Sequence, residues 1–77
     1  MMTYNEAYTY AAKILSIVLP GDIKDELKIC FEEYLKIPIW KVTTYPDRKL
    51  SPDEESKLLD YVARRARREP WQYIVGK

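Results

Sequence analysis

Ser51-Pro52-Asp53-Glu54 constrains this chain more than any other stretch, because every local signal there starts a helix. Ser51 can serve as the N-cap, with Glu54 placed three residues later to complete a capping box. Pro52 falls at the first helical position, where its missing N–H removes no hydrogen bond. Asp53, Glu54 and Glu55 put negative charge at the positive end of the helix dipole. Arg64, Arg65, Arg67 and Arg68 put positive charge at the negative end. Leu58, Leu59, Val62 and Ala66 recur at spacings of three and four, which predicts an apolar ridge on one side. Pro70 disfavours helical geometry at Glu69, so the helix must break or kink near Arg68–Glu69. Trp71 to Val75 can then make one more short turn, with Gly76 able to close it in a left-handed conformation.

The rest of the chain reads as helices that could cover such a ridge. Thr3 and Glu6 form a second capping-box pattern, opening a helix from Thr3 to Leu19. Its apolar face is Ala7, Tyr8, Ala11, Ile14, Leu15, Val18 and Leu19, with Tyr4 able to share the inward side. Pro20-Gly21 is a turn, and Asp22 can cap a second helix to about Leu35. There Ile23, Leu27, Cys30, Phe31, Tyr34 and Leu35 face inward, while Asp25, Glu26, Glu32 and Glu33 are expected on a solvated face. A short helical piece over Pro38–Thr44, burying Ile39, Trp40 or Val42, folds back between turns near Pro38 and Pro46. The expected fold is all-α, a small bundle of four to five short helices in one domain over residues 1–76.

Composition narrows the function classes. The chain has 77 residues, 47% hydrophobic and 32% charged, with only two glycines, which fits one small helical domain rather than a disordered segment. The formal net charge of +1 gives no global field for nucleic acid. Residues 1–35 are nevertheless net −3 and residues 36–77 net +4, so the two halves attract when packed. The chain contains no histidine and one cysteine. That removes ordinary catalytic triads, imidazole metal sites and internal disulfides, and no metal site or catalytic set is expected. Cys30 lies on an apolar stripe and reads as a packing residue. No glycine-rich phosphate loop appears. No run of about 20 apolar residues is present to span a bilayer, and a cytoplasmic protein is expected.

The stretch PDRKLSPDEES…ARRARREPWQYIVG resembles the N-terminal domain of the HemK/PrmC family, the methyltransferases that modify peptide chain release factors. The residues that carry the resemblance are Pro46, Asp47, Leu50, Ser51, Glu54, Arg64, Arg65, Glu69, Pro70, Gln72, Tyr73, Ile74 and Gly76. The family often has Gly before the Glu-Pro, where this chain has Arg68, and Leu after it, where this chain has Trp71. The resemblance implies a parent enzyme that transfers methyl from S-adenosylmethionine to the glutamine amide of a Gly-Gly-Gln loop. It also implies that the cofactor and the catalytic Asn-Pro-Pro-Tyr motif belong to a separate C-terminal domain absent from this chain. The expected partners are a release factor and that catalytic domain, with the fragment itself monomeric, non-catalytic and without cofactor.

Two groups of residues then become site candidates. Glu69, Pro70, Trp71, Gln72 and Tyr73 read as a rigid interdomain joint, with the proline fixing an abrupt change of direction and the aromatics anchoring it. Arg64, Arg67 and Arg68 fall away from the apolar ridge and read as a surface for an acidic protein partner. They can equally satisfy the helix end and pair with Asp60 or Glu69. A third possibility is a small RNA-binding module using Arg64–Arg68 with Trp71 and Tyr73, which the acidic first half disfavours. A purely structural cap on the catalytic domain is the remaining alternative.

Overall fold

The computed structural model describes residues 1–76. Its helices are α1 (Tyr4–Val18), α2 (Ile23–Lys28), α3 (Ile39–Thr44), α4 (Pro52–Ala66) and α5 (Trp71–Val75), and α2 runs without a break into a π-helical segment, Ile29–Leu35. The bundle is all-α, as the residue pattern requires. Both capping boxes form. Thr3 Oγ1 accepts from the Glu6 N–H at 3.1 Å while the Glu6 carboxylate accepts from the Thr3 N–H at 2.8 Å. Ser51 and Glu54 repeat the arrangement at 3.1 and 2.8 Å. Asp22 caps α2 through the Lys24 N–H.

α4 is the central rod. α1 packs along one side of it, and the π-helical segment packs along the other. Ala7 and Ala11 are fully buried, and their small side chains let α1 approach closely. Leu58 and Val62 join Leu15 of α1 and Leu27, Cys30 and Phe31 of the second helical stretch in one continuous core. Full burial of a leucine such as Leu58 contributes about 1.5–3 kcal/mol. The Tyr8 and Phe31 rings tilt against each other at 5.8 Å.

The ridge on α4 differs from the one expected. Leu59 is 41% exposed, whereas Tyr61 is fully buried. The reason is rotational: at about 100° per residue, Leu59 lies a quarter-turn from Leu58, while Tyr61 sits about 60° to the other side, facing the π-helical segment. The ridge is therefore Leu58, Tyr61 and Val62, with Ala66 half-buried at its edge. On α3, Val42 is the residue that goes inside; Ile39 is half-buried and Trp40 is 58% exposed.

The acidic face assigned to the second helix is also corrected. Glu26 turns inward to α4, and Glu32 accepts from the Ile39 N–H at 2.9 Å, capping the start of α3 where Pro38 has no capping side chain. The widened winding from Ile29 to Leu35 ends on Lys36 with φ 64°, and Phe31 O accepts from the Ile37 N–H at 2.8 Å. At the other end of the molecule the chain start is tied down. A single antiparallel bridge joins Thr3 to Lys49, Arg48 O accepts from the Tyr4 N–H at 2.7 Å, and Glu55 accepts from the Met2 N–H at 3.0 Å.

Candidate functional site: the α4–α5 joint and its arginines

The joint begins with the way α4 stops. Arg67 is the C-cap, and Arg68 takes a left-handed conformation with φ 65°. Arg65 O accepts from the Arg68 N–H at 2.8 Å, and Arg64 O accepts from the Glu69 N–H at 3.1 Å. These two bonds make a Schellman ending, which satisfies carbonyls that a helix end otherwise leaves open. Gly is the residue favoured where φ is positive, because a Cβ there crowds the backbone. Arg68 holds the position against that preference. Pro70 then sits at the N-cap of α5 with φ −58°, and Gly76 closes α5 at φ 81°.

Two arginines brace this turn from α4. Arg64 donates to Glu69 through two nitrogens, Nε at 2.8 Å, and reaches Asp60 at 3.4 Å. The Glu69 hydrogen bonds, with Asp60 adding, raise its pKa further above an already high value. Arg65 grips Glu26 with both Nε and Nη2, at 2.8 and 2.9 Å, and its Nη1 donates to the Glu69 carbonyl at 2.8 Å. Tyr61 donates to the same Glu26 carboxylate at 2.6 Å. One side chain thus fastens α2, α4 and the start of α5 together. Bidentate guanidinium–carboxylate pairs combine strength with fixed orientation.

Electrostatics at this cluster follow from the geometry. Burial alone would raise the Glu26 carboxyl, but the hydrogen bonds from Arg65 and Tyr61 outweigh it and hold the group below its ordinary value. Burial and the Glu26 carboxylate push the Tyr61 phenol well up, so it stays a donor. Burial likewise pushes the Cys30 thiol far above its usual range, which leaves it an inert packing group. Tyr34 adds a link outside the cluster by donating to Asp60 at 2.9 Å. Among the described residues no group of histidine, cysteine or carboxylate side chains is arranged to hold a metal ion.

The predicted site residues separate into two sets. Arg64 is taken up by Glu69 and Asp60, whereas Arg67 and Arg68 are exposed and enter no ion pair among the described residues. Within the joint, Glu69 and Pro70 set the turn, and of the two aromatics Trp71 shares the anchoring while Tyr73 does not. Ile74 is the buried anchor of α5 and Trp71 is half-buried on the core, while Tyr73 is 74% exposed and Gln72 faces outward. Glu26 and Tyr61 belong to the site and were not among its expected members. The spacing Leu58–Tyr61–Val62–Arg65 places all four on one stripe, and that pattern is visible in the residues alone.

The family model described as the PrmC N-terminal domain matches residues 6–76. The match covers nearly the whole chain, and the chain belongs to the PrmC N-terminal domain family. Its membership associates it with the PrmC methyltransferase. Among curated proteins and among solved structures nothing matches it. No helix of the described residues is long and apolar enough to cross a membrane.

Proposed function

We propose that this chain is the substrate-recognition domain of an S-adenosylmethionine-dependent protein-(glutamine-N5) methyltransferase that acts on the Gly-Gly-Gln loop of peptide chain release factors. In this reading the domain carries out no chemistry; the cofactor and the reacting groups belong to the catalytic domain it serves. The observation that carries the proposal is the braced joint. Arg64, Arg65 and the Schellman ending hold α5 at a fixed angle to α4, so a domain continuing from Gly76 would be held at a set direction. Two rigidly related domains can grip one protein at two places. The second contact then becomes intramolecular and raises the effective concentration of the target amide.

The test is deletion of residues 1–76 from the parent methyltransferase. Methylation of intact release factor is expected to fall far more than methylation of a short Gly-Gly-Gln peptide. Equal loss on both substrates would sink the proposal. A structural cap predicts instead a lower melting temperature with unchanged preference between the two substrates. The RNA alternative is less well supported, since Arg64 and Arg65 are already paired within the chain.

A further inference from the structure

The second exposed feature of the molecule is α3 with the turn that follows it. Trp40 is 58% exposed and Tyr45 is 44% exposed. Lys41 Nζ lies 6.0 Å from the centre of the Trp40 ring, and the Arg48 guanidinium carbon lies 4.8 Å from that of Tyr45. Lys41 and Tyr45 are one helical turn apart, their backbones joined by a 2.8 Å bond. The two cation–ring pairs thus sit one helical turn apart on the same side of α3 and its following turn, and together they make up a strip. Neither Lys41 nor Arg48 enters an ion pair among the described residues, and Asp47 is the only acid between positions 36 and 49.

We propose that this strip is the docking surface for an acidic protein surface. Resting on the recognition role above, it is the place where the domain grips its protein substrate. Trp, Tyr and Arg are the side chains that carry most interface energy when a partner desolvates them. Each cation here is already held over a ring, so pairing it with a carboxylate requires less new ordering. The same arrangement argues against single-stranded RNA. One face of each ring is already covered by the chain's own cation, which leaves less ring surface for the base stacking on which single-strand binding depends. The net positive strip complements carboxylates, and its charges steer association in a salt-dependent way.

The experiment titrates the intact chain by calorimetry with purified release factor, with poly-L-glutamate and with poly(U), at low and high salt. The variants are Trp40→Ala and the double Lys41→Glu/Arg48→Glu, with Arg67→Glu/Arg68→Glu as the comparison. All five positions are exposed or half-exposed, and circular dichroism verifies that each variant keeps its helices. The expected result is release-factor binding weakened about tenfold or more by either strip variant, and within about twofold of wild type in the comparison variant. Release-factor binding lost only in the Arg67/Arg68 variant overturns the strip and leaves the recognition role standing. No binding of release factor, with poly-L-glutamate still bound through Lys41 and Arg48, removes the recognition role and keeps the strip as an acidic-protein site. Poly(U) bound more tightly than poly-L-glutamate, or neither release factor nor poly-L-glutamate bound, overturns the strip.

Discussion

The α4–α5 joint and the α3 strip are built from similar residues put to different ends. At the joint, Arg64 and Arg65 face carboxylates of their own chain, and Arg65 is braced by Glu26 and the Glu69 carbonyl. On α3 and the turn after it, Lys41 and Arg48 lie over aromatic rings. A run of arginines looks like a surface feature in the sequence, yet half of the Arg64–Arg68 cluster works as internal bracing. Lys41 and Arg48, like Arg67 and Arg68, are left without a carboxylate among the described residues. What decides the role of a charge here is whether the fold brings an acid to it.

If the joint is structural and the strip is not, substitutions should affect stability very unequally. Leu58→Ala removes the side chain at the centre of the α4 ridge and should lower unfolding stability by about 2–5 kcal/mol, measured by urea denaturation. Arg65→Met leaves the half-buried Glu26 without its guanidinium and should cost about 2–4 kcal/mol. This pair also gives the domain an acid-sensitive component. Because the folded-state pKa of Glu26 is depressed, its contribution is fully present above the ordinary glutamate value of 4.5 and is lost as pH falls through the folded value. The stability of Arg65→Met should therefore fall less steeply below that pH than the wild type does.

Arg68→Gly tests the joint with the opposite sign. Relief of the left-handed arginine should stabilise the domain by about 1 kcal/mol, which corresponds to a rise in Tm of about 4–8 °C for a domain of this size. A fall in Tm would mean that the Arg68 side chain contributes more to the turn than its backbone strain removes. The smallest effect is expected on the strip. Trp40→Ala should change stability by no more than about 0.5 kcal/mol, and a loss as large as that of Leu58→Ala would make Trp40 part of the core.

What the sequence could reveal follows from how far apart the interacting residues are. Both capping boxes, the Asp22 cap, the break before Pro70 and the Gly76 closure depend on neighbours within four residues, and all are readable from the chain. The Schellman ending was foreshadowed by the proline, although an arginine at the left-handed position hid it. The α4 ridge is misread between Leu59 and Tyr61 because spacing alone does not tell which of these neighbours of Leu58 turns inward, and Tyr61 buries its ring once Glu26 accepts from its hydroxyl. That acceptor lies 35 residues away, and local patterning carries no trace of it. The π-helical winding of Ile29–Leu35 was equally hidden, since its apolar spacing also suits an α-helix. At the candidate site, the joint residues are recognisable as a motif and the pairing of Arg64 with Asp60 and Glu69 lies within local reach, but the Glu26 partner of Arg65 depends on the packing of α2 against α4.

The tie between the chain start and residues 46–50 has a bearing on synthesis. Three backbone contacts, Tyr4 to Arg48, Asn5 to Pro46 and Leu50 to Met2, link positions separated by more than half the domain. Closing so long a segment is entropically demanding. As the nascent chain leaves the ribosome, α1 can coil and cap itself early, but its amino end cannot be docked until the residues leading into α4 have emerged. The docking of the first helix to appear therefore waits for the central rod.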